Sequence, residues 1–275
     1  EKWVSLGAPD PREAAMKTGV RKDPIDYATA RKEWAFRPVK KPAVPTPAEV
    51  SWARGAVDQF ILSSLEAGSL APSPDADPAV LLRRVHYDLT GLPPTVAELD
   101  AFVANPSTEA LAKVVDGLLA RPAFGEKWGR HWLDVARYAD SNGGDRNYTY
   151  YQAWRYRNYV IDAFNHDKPY YRFIREQVAG DLLEAADHGA RREQLIASTF
   201  LALGPKMLTE RDKEKLWLDT VDEQIDTIGR AFLGLTMGCA RCHDHKYDPV
   251  SQEDYYAVAG IFRSTIRQDM FVART

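Results

Sequence analysis

The chain has 275 residues, 45% of them hydrophobic, enough for one large core or two modest ones rather than a string of small modules. Its 39 acidic and 36 basic residues nearly cancel, which excludes a strong overall field drawing in nucleic acid or an anionic membrane. The apolar run around Ala231 to Leu235 is far too short to cross a bilayer, so no transmembrane span is expected.

Glu1 to Gly7 has neither an initiator Met nor the basic-then-apolar layout of a secretion signal, and is expected to be the interior of a longer chain. Between Gly7 and Glu49 stand Pro9, Pro11, Pro24, Pro38, Pro42, Pro45 and Pro47, a composition that resists a continuous helix or a central strand. An extended strap lying over a neighbour is predicted there, with Thr46 or Ser51 capping the first helix of the globular part. Residues 1–48 are therefore assigned to a leader and linker, and 49–275 to one helical domain.

From Ala48 onward apolar residues recur at three and four positions, first as Val57, Phe60, Ile61 and Leu65 on one helix face. Further helices are predicted from Asp77-Pro78 through Leu89, over Thr95 to Val103, and over Thr108 to Leu119. Others follow at Phe124 to Tyr138, Tyr148 to Phe164, Tyr170 to Leu183, Arg191 to Leu203 and Glu214 to Leu235, with Gly204-Pro205 as a hinge. No alternating run is long enough for a sheet, so the expected class is all-α, an irregular multi-helix bundle.

The two cysteines lie three positions apart, which rules out a distributed disulfide framework and calls for a local explanation. Cys239-Ala240-Arg241-Cys242-His243 places two thiols and an imidazole on one short turn, as covalent attachment of one c-type haem requires. Cys239 and Cys242 would form the thioethers and His243 would be the proximal iron ligand. Tetrahedral zinc on Cys239, Cys242, His243 and His245 is a rival, weakened because zinc sites usually space their histidines by three to five residues. A redox dithiol is the other rival, and no βαβ pattern precedes the motif to support it.

For the iron's far face the candidates are His131, then Met207 and Met237, then an open position. Arg137, Arg155 and Arg230 are candidates for gripping haem propionates, and His245 is expected to hydrogen-bond near them. Asp244, Asp248 and Ser251 to Asp254 suggest a helix cap starting near Gln252 more than a calcium loop.

Longer strings carry a family resemblance. They include His86-Tyr87-Asp88-Leu89-Thr90-Gly91-Leu92-Pro93-Pro94-Thr95, Gly125 to Ser141, Ala153-Trp154-Arg155-Tyr156-Arg157, Asp167-Lys168-Pro169-Tyr170, Glu176 to Leu183, and Phe232 through Val250. Across roughly Val57 to Thr265 the chain resembles the second recurrent domain of the planctomycete-type cytochrome c proteins, a family of unknown function. Trp3 to Pro9 is similar to the tail of the small cytochrome c domain that precedes it in such proteins. The resemblance implies an exported envelope protein, in the periplasm, at the cell surface or outside the cell. It implies a neighbouring cytochrome c domain and a downstream domain as partners, with a redox partner protein beyond them. It also favours His131 over Met207 as a site residue. Electron transfer is the expected function; a haem-dependent oxidoreductase acting on carbohydrate or a small molecule, and a structural adaptor in an envelope assembly, are the alternatives.

Overall fold

The computed structural model describes residues 25–49 and 51–265, and the sequence features placed at Trp3 to Pro24 lie outside them. The described chain is all-α. It runs α1 (Tyr27–Ala30), α2 (Ala56–Ala67), α3 (Pro78–Thr90), α4 (Val96–Ala104), α5 (Thr108–Leu119), α6 (Pro122–Val135), α7 (Ala153–Asn165), α8 (Tyr170–Ala179), α9 (His188–Ala197), α10 (Lys213–Ile228) and α11 (Gln252–Arg263). Among the described residues the β structure is one isolated antiparallel bridge, Ser141 with Thr149.

The chain divides into two compact units. The smaller holds Arg31–Asp88 and Leu92–Val115, and buries Leu62, Leu82, His86 and Phe102. Its first helix corrects the sequence reading: α2 starts at Ala56 with Gly55 as N-cap, and neither Thr46 nor Ser51 caps it. The Asp58 carboxylate accepts from the Arg54 and Gly55 amides, while the Ser51 hydroxyl is spent on Glu49. The predicted face is corrected too, for Val57 and Ile61 are exposed and Leu62 carries the burial. Residues 31–44 of the proline-rich strap are exposed, and its end is tied down where Ala48 and Glu49 donate to the Glu66 carboxylate.

The larger unit holds residues 116–265 with Leu89–Gly91 and the described residues 25–30. Its first cluster centres on Trp132 of α6, whose ring meets Phe173 edge-on at 4.9 Å and lies 5.9 Å from Phe200 and 5.8 Å from Phe232. The indole N–H is satisfied inside the core by the Tyr156 hydroxyl and the Gln177 carbonyl oxygen. Helices α6 and α7 pack closely because Gly125 and Gly129 lack side chains; a Cβ on Gly125 would stand 2.5 Å from the Ile161 carbonyl oxygen. The second cluster joins Val221 and Ile225 of α10 to Met237, Ala240, Val250, Tyr255 and Phe262.

Several helices stop short of their sequence forecasts. The segments after α8 and α9 tighten into 3-10 turns at Gly180–Leu182 and Ser198–Leu201, and α10 widens into a π turn at Gly229–Leu233. The π turn closes on Gly234, whose φ of 66° is left-handed, and the Leu235 amide returns to the Gly229 carbonyl.

Candidate haem-attachment turn

The π turn delivers the chain to a 3-10 turn, Met237–Arg241, that carries the first cysteine. With about three residues per 3-10 turn, positions i and i+3 share a side. Met237 and Ala240 accordingly occupy the buried side within the second cluster, and Cys239 and Cys242 are both exposed, as free thiols. His243 is exposed beside them, and its Nδ1 lies 2.7 Å from the Asp244 carbonyl oxygen. A carbonyl only accepts, so Nδ1 carries the proton and Nε2 keeps its lone pair for a ligand outside the loop.

Helix α11 holds this loop from its N-terminus. Ser251 and Asp254 form a capping box, as the sequence foresaw, and the next amide, Gln252, donates to the Asp244 carboxylate at 2.9 Å. The Gln252 amide group and the Tyr256 hydroxyl both donate to the Arg241 carbonyl, at 3.1 and 3.2 Å. Arg241 itself pairs with Asp222 and Asp219 of α10. Burial lowers its pKa, but these carboxylates outweigh burial and hold it above its ordinary value.

The other predicted residues fall in different surroundings. His245 is buried within the same loop, with both ring nitrogens engaged by Thr236 and by the Asp248 amide. His131 lies on the exposed face of α6 with its ring 5.4 Å from Trp128. Arg137 ends α6 and is bound to Glu223 and the Phe200 carbonyl; burial is the main cause that lowers its pKa to about 10. Arg155 stacks over Trp154, and Arg230 pairs with Asp226 one turn earlier. Met207 is exposed, whereas Met237 sits on the buried side of the turn, opposite the thiols.

The donor set therefore fits a haem bound through two thioethers and one imidazole, and fits tetrahedral zinc poorly. Zinc would need His245, whose nitrogens are both committed inside the loop, and among the described residues no group of three His, Cys, Asp or Glu side chains is arranged to hold a metal ion. A cavity of about 190 Å³, lined by Tyr159, Asp162, Ala163, His166, Lys168 and Glu193, contains no residue of the motif. What sequence reasoning missed is the supporting set: Thr236, Gln252 and Tyr256 bear no motif of their own and join the site only through the fold.

An all-α domain that presents a Cys-x-x-Cys-His turn at its surface is the class that fold and site define. The chain belongs to the PSCyt2 family, a protein of unknown function (DUF1549), which it matches over residues 56–267. Searches among curated proteins and among solved structures return no match. No helix among the described residues is long and apolar enough to cross a membrane.

Proposed function

We propose that this chain is a c-type cytochrome module that carries one covalent haem and passes electrons within a larger exported assembly. The supporting observation is the pairing of two exposed thiols, three residues apart, with an imidazole whose Nδ1 proton is committed to the Asp244 carbonyl. In this reading Cys239 and Cys242 each add S–H across a vinyl double bond. Sulfur bonds one carbon, the proton goes to the other, and no oxidant or reductant is consumed. His243 would supply Nε2 to the iron, with the Asp244 carbonyl fixing the tautomer and the ring orientation. The haem would supply a one-electron couple, tuned by the axial ligands and by solvent exposure. Electron exchange with a neighbouring haem domain or a redox partner agrees with a motif at the surface.

The test is the absorption spectrum and intact mass of the full chain, produced with covalent haem maturation. The expected result is a mass higher by one haem and a reduced spectrum of thioether-linked haem. A colourless protein weighing no more than its polypeptide overturns the proposal. Carbon monoxide binding to the reduced protein separates a pure carrier from an open iron that could serve an oxidoreductase, with His131 the first candidate for the far face.

A further inference from the structure

Resting on the haem reading above, we infer that His245 and Thr236 form a clamp that shapes the attachment turn before any haem arrives, making His245 a positioning residue and not a ligand. His245 Nδ1 lies 2.8 Å from the Asp248 amide and 3.3 Å from the Tyr247 amide. Backbone N–H groups only donate, so Nδ1 accepts and the ring proton sits on Nε2. That proton faces Thr236 Oγ1 at 2.9 Å. The Asp248 carboxylate stands farther from Nδ1, at 3.4 Å, and the amide takes the lone pair.

The position of the two partners gives the bond its consequence. Thr236 immediately precedes the 3-10 turn, and its carbonyl accepts from the Cys239 amide at 3.1 Å. His245 is fixed from the other side, where its own amide donates to the Val250 carbonyl at 2.8 Å. One side-chain bond thus closes the segment 236–245, with Cys239, Cys242 and His243 inside it. His245, 6% exposed, is buried, while the two thiols and the His243 imidazole are exposed. Two thiols must reach two vinyl groups at a set separation, so restricting the turn beforehand removes an ordering cost from the second thioether. Neighbouring imidazoles two residues apart are given opposite tautomers: Nδ1–H at His243 for ligation through Nε2, and Nε2–H at His245 for the clamp.

The experiment uses the full chain without haem, incubated with reduced haem, and follows thioether formation. Thr236→Val removes the acceptor while keeping the shape, and Thr236→Ser restores it. The expected result is attachment slowed about fivefold in the Val variant, the effect of one hydrogen bond, with more singly linked haem in the pyridine haemochrome band and recovery in the Ser variant. Nitrogen-15 NMR of the unmodified haem-free chain reads the same bond without any variant, and should show His245 as the Nε2–H tautomer. Wild-type attachment rates in the Val variant, or an Nδ1–H or averaging His245, overturn the clamp and leave the haem reading standing. A wild-type chain that takes up no haem overturns both.

Discussion

Arg137 occupies a position that helix ends usually give to glycine. Helix α6 closes with Arg137 N–H on the Asp134 carbonyl and Tyr138 N–H on the Leu133 carbonyl, a Schellman arrangement, and the φ of Arg137 is 53°. A left-handed non-glycine residue costs about 1–2 kcal/mol. The side chain offsets that cost by reaching Glu223 on α10 and the Phe200 carbonyl. Glu223→Ala should therefore destabilise the chain by roughly 2–3 kcal/mol in urea unfolding, below the range for a fully buried pair because both side chains keep some exposure. Arg137→Gly combined with Glu223→Ala should recover most of that loss, and strict additivity of the two changes would contradict the pairing. Glu176 makes a second residue-scale case. Burial pushes its carboxyl up, yet hydrogen bonds from Lys168, Arg172 and Tyr159 outweigh burial and hold its pKa below the ordinary 4.5. A depressed folded-state pKa gives stability that is present above about pH 4.5 and lost as pH falls through the folded value. The stability difference between wild type and Glu176→Gln, followed by urea midpoints from pH 7 down to pH 3, should shrink with acid; a constant difference would show that the carboxylate charge contributes nothing.

At the scale of elements, the route from α10 to the cysteines depends on a glycine. A Cβ on Gly229 would stand 2.7 Å from the Leu235 carbonyl oxygen and 2.9 Å from Met237 Cγ, both backbone and core neighbours of the turn. Gly229→Ala should cost about 1–3 kcal/mol through overpacking and displace the 3-10 turn. Thermal unfolding and the thiol reactivity of Cys239 would register the two effects. Trp132 couples the same region to the first cluster, since it touches Phe232 within the π turn as well as Phe173 and Phe200. Trp132→Ala should destabilise by about 3–5 kcal/mol, and it also leaves Gln177 with one fewer donor. Chain periodicity placed these helices correctly but not their ends. Tyr170 to Leu183, Arg191 to Leu203 and Glu214 to Leu235 each read as one apolar period, because 3-10 and π turns change the residues per turn without changing the residue types.

For the whole molecule, the haem reading makes a graded forecast. Cys239→Ala and Cys242→Ala should each leave one thioether, their combination should leave none, and His243→Ala should keep covalent haem with an altered iron spectrum. Mass and absorption measurements on variants of this chain check all four, and covalent haem in the double-cysteine variant would contradict the assignment. The helical class, the approximate helix positions and the spacing of Cys239, Cys242 and His243 on one short turn were legible in the amino acids alone, because periodicity and short-range spacing are local properties. The α11 cap at Ser251 was legible for the same reason. The start of α2 was not, since Gly55 acts as cap only with the Asp58 carboxylate folded back over it. The exposure of Val57 and Ile61, the engagement of Arg137 with Glu223, and the burial of His245 against Thr236 were decided by tertiary packing. Each depends on which surfaces meet and which polar groups must find partners away from water, and neither condition is written in the spacing of residues along the chain.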